Sequence, residues 1–172
     1  MEDMLDIPEG ITVAIDNCKV SVSGPKGKNE KSYVHMKELS IAKEGNKIKI
    51  SSTKPGRNGK KDVYTIASHI KNQFVGVLEG YKINMQEAHT HFPIKMEVKG
   101  NKVYLNSFAG EKKPRVADIV GNVKVEVKGA NITISGADKE AVSQTAANIR
   151  QVTRIIGLDN RIFQDGVYIL EE

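Results

Sequence analysis

The chain has 172 residues, of which 39% are hydrophobic and 27% charged, so its composition is that of one globular domain or two small ones. Lys and Arg number 26 against 21 Asp and Glu, and the resulting net charge of +5 favours an anionic partner. The single cysteine, Cys18, excludes an internal disulfide and a multi-cysteine metal site. No apolar run approaches the roughly 20 residues of a membrane span, and residues 1–6 lack the apolar core of a signal peptide. We therefore expect a soluble, intracellular protein.

The first third of the chain has the pattern of antiparallel strands. A polar turn at residues 16–19 separates two runs in which apolar residues alternate with polar ones, and these apolar positions are Val13, Ile15, Val20 and Val22. The segment Gly24-Pro25-Lys26-Gly27 predicts a further turn. Another alternating strand is predicted after Gly45.

A long amphipathic helix follows. Apolar residues recur at steps of three and four, as on one helix face, at Val63, Ile66, Ala67, Ile70, Phe74, Val77 and Leu78. We predict a helix over residues 62–79, with Asp62 as its N-cap and Gly80 just past its end. The preceding residues 52–61 are rich in Gly and basic side chains, which predicts a surface loop.

The second half of the chain repeats this order. Residues 44–51 align with residues 128–135, each as a turn at Gly followed by an alternating strand. A hairpin is predicted around residues 99–102, and a second helix over residues 138–155 with Asp138 as its N-cap. One helix covers only one face of a small sheet. The fold predicted is therefore α+β, with two tandem duplicated domains, residues 1–80 and 81–172, each a small antiparallel sheet covered on one face by a helix.

Motifs for catalysis or cofactor binding do not match. Gly59-Lys60 lacks the upstream Gly and the following Ser or Thr of a phosphate-binding loop. The Gly-x-x-Gly spacings at residues 24–27 and 56–59 do not join two helices, as an RNA-clamping loop of that type must. His89 and His91 are too few ligands for a metal, and Cys18 has no recognisable base partner. We expect no enzymatic activity, no cofactor, no metal and no small-molecule substrate.

Clusters of basic residues are the remaining candidates for function. Folded RNA is bound largely through its phosphates and 2′-hydroxyl groups by cations on rigid surfaces. A solvated charged face is the alternative interpretation of the same residues. The candidate RNA-binding residues are Lys112, Lys113, Arg115, Arg154 and Arg161 in the second half, and Lys54, Arg57, Lys60 and Lys61 in the first.

Several segments resemble a known family. In chain order they are Ile7-Pro8-Glu9-Gly10-Ile11-Thr12-Val13, Gly24-Pro25-Lys26-Gly27, Ala88-His89-Thr90-His91-Phe92-Pro93, Gly110-Glu111-Lys112-Lys113-Pro114-Arg115, Gln144-Thr145-Ala146-Ala147-Asn148-Ile149 and Arg161-Ile162-Phe163-Gln164-Asp165-Gly166-Val167-Tyr168. Over nearly the whole chain they are similar to ribosomal protein L-six of the large subunit. The similarity is greatest to its archaeal form, whose eukaryotic counterpart is L-nine.

The resemblance implies a non-enzymatic, cytoplasmic component of the large ribosomal subunit that is not a homo-oligomer and does not bind membranes. Its implied partners are the large-subunit (23S-type) rRNA, near the base of the lateral stalk, the factor-binding region and the subunit interface, and the neighbouring ribosomal proteins. The alternative is an RNA-binding module that acts outside the ribosome.

The two halves differ in charge, which bears on where RNA binds. Residues 1–85 carry fourteen cations and ten anions, and residues 86–172 carry twelve and eleven, so the net charges are +4 and +1. We nevertheless expect the second domain to be the main rRNA-binding domain, because Pro114 stiffens its basic loop whereas Gly56 and Gly59 make ordering the first loop costly in entropy. The resemblance implies the same preference.

The last block of the chain adds one more structural expectation. Asp165-Gly166 suits a tight turn. Phe163 and Tyr168, on either side of it, are each next to an apolar residue, so we expect their rings to pack on the domain rather than to stack on RNA bases.

Overall fold

A computed structural model of the chain describes residues 2–16, 18–36, 38–90, 92–159 and 161–170. The chain divides into two compact units, with the boundary between Gly80 and Tyr81. Each unit combines antiparallel strands with one long helix, which confirms the predicted fold class. Each also contains two small sheets, where the sequence pattern indicated one.

The first unit consists of β1 Glu2–Asp6, β2 Thr12–Asp16, β3 Lys19–Gly24, β4 Gly27–Ser32, β5 Leu39–Glu44, β6 Lys47–Ser52 and α1 Gly56–Leu78. Its sheets have the strand orders β1-β6-β5 and β2-β3-β4. The predicted hairpin turn joins β2 to β3, although Asn17 within it lies outside the described residues. Pro25 and Lys26 form the predicted turn between β3 and β4.

Helix α1 packs against strands of both sheets, and its apolar face is buried as its periodicity predicts. Together they form one core, whose fully buried members are Val20, Val22, Ile48, Ile50, Val63, Ile66, Ile70 and Val77. Just past the helix, Gly80 has a φ of +81°, a conformation that glycine adopts without strain, and its N–H donates to the Val75 carbonyl at 3.3 Å.

The start of α1 corrects the prediction. The helix begins at Gly56, after Pro55 as its N-cap residue, six residues before the predicted cap at Asp62. The Asp62 carboxylate instead accepts a hydrogen bond from the Lys54 ammonium at 3.1 Å. Most of the predicted Gly-rich loop is therefore helical, and the expected entropic cost of ordering it does not apply to residues 56–61.

Gly59 permits this early start because the backbone of Lys54 lies against it. A Cβ atom at Gly59 would lie 2.3 Å from the Lys54 carbonyl oxygen. Replacing Gly by Ala inside a helix normally stabilises it, but here the methyl group meets backbone that has little room to move. We expect Gly59→Ala to lower the free energy of unfolding by about 1–3 kcal/mol. Thermal unfolding measures this, with Asn58→Ala, at an exposed position of the same turn, as the control that should change stability little.

The exposed face of β3 and β4 carries Glu30, a carboxylate with a strongly lowered pKa. The Glu30 carboxylate pairs with the Lys28 and Lys19 ammonium groups and accepts a hydrogen bond from the Ser21 hydroxyl. Hydrogen bonds from Lys28, then from Lys19 and Ser21, lower the pKa of Glu30 from 4.5 to about 2.

This lowered pKa predicts a dependence of stability on pH. The unfolded chain, in which the carboxyl has its ordinary pKa, takes up a proton first as the pH falls. The contribution of Glu30 is therefore complete above about pH 5 and decreases as the pH falls from 4.5 towards 2. We expect Glu30→Gln to be less stable than the wild type at pH 6 and to lose less stability on going to pH 3. Urea unfolding at both pH values measures this; the same pH response in Glu30→Gln and in the control Glu9→Gln would contradict it.

The second unit consists of β7 Tyr81–Ala88, β8 Lys95–Lys99, β9 Lys102–Asn106, a short 3-10 helix Phe108–Gly110, β10 Arg115–Asp118, β11 Lys124–Lys128, β12 Asn131–Gly136, α2 Lys139–Val152 and β13 Gly166–Ile169. Its sheets have the strand orders β11-β12-β7-β13 and β10-β9-β8. The strand β12 occupies the position in this unit that β6 has in the first, as the sequence repeat predicts.

Helix α2 begins as predicted and ends early. The Asp138 carboxylate accepts from the Glu140 N–H at 3.1 Å, which is the predicted N-cap. The helix ends at Val152, three residues before the predicted end, where the Thr153 hydroxyl lies 3.2 Å from the Ile149 carbonyl and 3.0 Å from that of Arg150. The buried face of α2 packs against strands of both sheets of its unit.

Candidate nucleic-acid interface

Arg115, the first residue of β10, organises the basic loop that precedes it. Its Nε and Nη2 atoms donate to the two carboxylate oxygens of Glu111 at 2.9 and 2.5 Å. Its guanidinium carbon lies 4.4 Å from the centre of the Phe108 ring, which is itself buried. This bidentate, stacked arrangement fixes both ends of the segment between residues 108 and 115.

The same guanidinium also binds the end of α2. Its Nη1 atom donates to the carbonyls of Val152 at 2.7 Å and Arg154 at 3.1 Å. Carbonyls at a helix C-terminus have no partner within the helix, and a cation there also interacts favourably with the helix dipole. The hydrogen bond with Glu111 raises the pKa of Arg115 and lowers that of Glu111. Arg115 therefore connects the basic loop to α2.

These contacts bear on the predicted role of Arg115. An arginine has five N–H donors, and the protein itself occupies four of them here. The side chain is 27% exposed. These contacts suit a residue that positions the loop better than one that binds phosphate, and the RNA contact predicted for Arg115 stays a prediction.

The backbone of this segment is strained, which the sequence did not indicate. Ser107 has a φ of +61° and Ala109 a φ of +48°, next to Gly110 at +78°. Left-handed backbone at a residue with a side chain costs about 1–3 kcal/mol and is concentrated at functional sites. Part of the folding free energy thus holds the segment that carries Lys112 and Lys113 in a defined shape.

Lys112 and Lys113 lie at the exposed tip of this segment. Among the residues that the structure describes, neither ammonium group has a carboxylate within ion-pair distance. Two unpaired cations on a held backbone suit phosphate binding, since little backbone entropy of the loop is lost on binding.

The other two predicted cations of the second unit follow α2. Arg154 lies two residues past the helix, and its carbonyl is one of the two that Arg115 binds. Arg161 lies in a turn in which its N–H donates to the Asp159 carboxylate at 2.9 Å. Both side chains are exposed. The structure thus brings Arg154 next to the Lys112–Lys113 segment through Arg115, whereas no described contact connects Arg161 to it.

The predicted cations of the first unit fall into two groups. Lys54 is engaged with Asp62 at 3.1 Å and with Glu38 at 3.6 Å, and its hydrogen bond with Asp62 raises its pKa. Arg57, Lys60 and Lys61 are exposed on the first turns of α1.

Once α1 is known to begin at Gly56, its helical period adds residues that the sequence analysis missed. Tyr64, which is 55% exposed, and Lys71 lie four and eleven residues after Lys60, about one and three helical turns, and so continue the exposed face. The signal that could have found them was the same 3.6-residue period, extended backwards through the two glycines.

Within the described residues, no group of three or more His, Cys, Asp or Glu side chains is placed to hold a metal, and His91 lies outside those residues. In the same part of the chain, no helix is long and apolar enough to cross a membrane.

The last block of the chain differs from its prediction. Asp165 and Gly166 do not form a tight turn: Gly166 begins β13, and the buried Asp165 carboxylate accepts a hydrogen bond from the Thr90 N–H. Phe163 is half-buried, but Tyr168 is 45% exposed, so only one side of its ring packs on the unit.

Comparison with known proteins identifies the class. The sequence model of a family described as Ribosomal protein L6 matches residues 7–80 and 92–166, one segment in each unit. The chain belongs to this family, whose members are structural proteins and not enzymes.

Relatives named "Large ribosomal subunit protein uL6" match over almost their whole length. That of Sulfurisphaera tokodaii is 44% identical over 98% of this chain and 90% of its own. That of Methanothrix thermoacetophila is 46% identical over 98% of this chain and 95% of its own. That of Saccharolobus solfataricus is 40% identical over 100% of this chain and 95% of its own. All three are archaeal proteins, as the resemblance implied.

Proposed function

We propose that this protein is a structural constituent of the large ribosomal subunit that binds large-subunit rRNA mainly through its second unit. The observation that carries the proposal is the pair Lys112 and Lys113, held at the tip of a strained segment that Arg115 fixes to α2. Family membership over both units supports the large-subunit assignment.

The rRNA contact is electrostatic in character. Lys112, Lys113 and Arg154 present exposed cations from adjoining segments, and Arg161 adds a fourth on the same unit. Phosphate contacts of this kind position a protein on folded RNA without reading its sequence. Arg57, Lys60 and Lys61 on α1 form a secondary contact in this proposal.

The place of the protein on the subunit is also part of the proposal. We infer that it lies near the base of the lateral stalk, by the factor-binding region and the subunit interface, with neighbouring large-subunit proteins as further partners. The relatives' shared name supports the subunit itself. The position on the subunit is what the family resemblance implies.

Sedimentation tests the proposal against an RNA-binding module that acts outside the ribosome. The tagged full chain is expressed in its source organism or in a related archaeon. It should migrate with the large subunit in a sucrose gradient at moderate salt and be released only at high salt. A chain found at the top of the gradient, or bound to other RNA, would reject the ribosomal assignment. Lys112→Ala/Lys113→Ala should shift the release to lower salt.

A further inference from the structure

An open groove of about 680 Å³ runs between α2 and β13 in the second unit. Ser143, Ala147, Arg150 and Arg154 line one wall, and Phe163 and Tyr168 belong to the other. The volume lies within the range of roughly 300–1,000 Å³ that is typical of pockets for small organic ligands. A single nucleotide is a ligand of that size, whereas a base-paired duplex cannot enter such a groove.

The aromatic wall is held in place. The Tyr168 hydroxyl donates to the Gln164 carbonyl at 3.0 Å, and a Cβ built at Gly166 would lie 3.5 Å from the Tyr168 ring. One side of the ring thus rests on the backbone while the residue stays 45% exposed. An aromatic ring fixed in this way offers a surface for a stacked base at small entropic cost.

The polar groups at the floor of the groove form hydrogen bonds within the protein. The Val167 N–H donates to the Thr153 hydroxyl at 3.3 Å, and the Asp165 carboxylate is buried and accepts from the Thr90 N–H. The exposed charges of the lining are therefore the guanidinium groups of Arg150 and Arg154. A fixed ring beside two cations matches a base next to its phosphate.

We infer that this groove binds one unpaired nucleotide of RNA, with the base stacked on Tyr168 and its phosphate between Arg150 and Arg154. The inference rests on the proposed function, because RNA is the ligand that would supply the nucleotide. Proteins recognise RNA most specifically at such unstacked bases, in loops and bulges. The groove would add base contact to the phosphate contacts of the Lys112–Lys113 segment.

NMR titration of the full, isotopically labelled chain tests the groove directly. The probes are AMP, adenosine and ribose 5-phosphate, followed through the amide signals of residues 150–154 and 166–169. We expect AMP to shift these signals and to bind at least about fivefold more tightly than ribose 5-phosphate. Equal binding of the two would mean that only phosphate is recognised and would overturn the inference, as would signals that none of the probes moves.

Substitutions distinguish the stacking of the base on Tyr168 from the binding of the phosphate by the arginines. Tyr168→Ala should lower the affinity for AMP at least about fivefold, in line with the loss of one base–aromatic stack, whereas Tyr168→Phe should keep most of it. Arg150→Gln should weaken AMP but not adenosine. Phe92→Ala, at an exposed aromatic outside the groove, is the control. The variant spectra show directly whether the fold is kept.

The two proposals can fail separately. If the chain migrates with the large subunit but its groove binds no AMP, the proposed function stands and the inference falls. If AMP binds but the chain does not migrate with ribosomes, the groove stands as a nucleotide site and the ribosomal function falls.

Discussion

Replacing Arg115 by Ala should destabilise the second unit by about 2–3 kcal/mol, because one side chain connects the basic loop, Phe108 and the end of α2. The substitution removes four hydrogen bonds and leaves the Phe108 ring without its cover. The partly exposed Glu111 and the carbonyls of residues 152 and 154 regain water, which limits the loss. Amide hydrogen exchange of β10 and α2 measures the effect in the second unit alone, with the first unit as an internal reference.

Arg115→Lys should lose most of the same free energy, since an ammonium group cannot make a planar bidentate contact while also reaching two carbonyls. Arg154→Ala is the matched control: its side chain is exposed and outside these contacts, so it should change stability by less than about 0.5 kcal/mol. If Arg115→Ala proved no more costly than Arg154→Ala, Arg115 would not be a positioning residue.

Replacing Lys112 and Lys113 together by Ala should cause the largest loss of rRNA affinity of any pair of lysines in the chain. Each phosphate contact contributes slightly less than one unit to the slope of log affinity against log salt, so the slope should flatten by up to about two units. The exposed lysines make no described contacts that the fold needs, so stability should hardly change. Filter binding of the full chain to protein-free large-subunit rRNA, at several salt concentrations, measures this.

The matched comparison is Lys60→Ala/Lys61→Ala on α1, which removes the same charge from exposed positions of the first unit. It should flatten the slope by less than one unit. A larger loss of rRNA affinity from this pair than from Lys112 and Lys113 would make the first unit the main RNA-binding unit, as its higher net charge suggests.

Periodicity predicted most of the fold because alternation and helical spacing record which side chains meet the core. The hairpins, both helices and the fold class followed from it, and the Asp138 cap followed from its residue type at the start of the helix. The start of α1 did not follow from it, because glycine is a poor helix former and two glycines lie in the first turn. Gly59 is needed there because the Lys54 backbone leaves no room for a side chain, and the sequence does not show that contact. The second sheet of each unit likewise depends on which strands pair, and alternation alone does not specify partners.

The sequence predicted which residue types form the candidate site but not what each residue does there. The sequence shows that residues 112–115 are basic and contain a stiffening proline. It does not show that Arg115 points back to α2, because that depends on a contact 37 positions away, with Val152. The groove beside Tyr168 was missed for the same reason: its walls come from α2 and β13, which are brought together only by the tertiary fold.

The most direct test of the account is ultraviolet crosslinking between this chain and rRNA in intact large subunits. Mass spectrometry of the crosslinked peptides locates the contacts by residue. We predict crosslinks to large-subunit rRNA concentrated in residues 107–115 and at the end of α2, with fewer on the exposed face of α1. Crosslinks confined to residues 56–71, or subunits in which the chain forms none with rRNA, would contradict a main contact through the second unit.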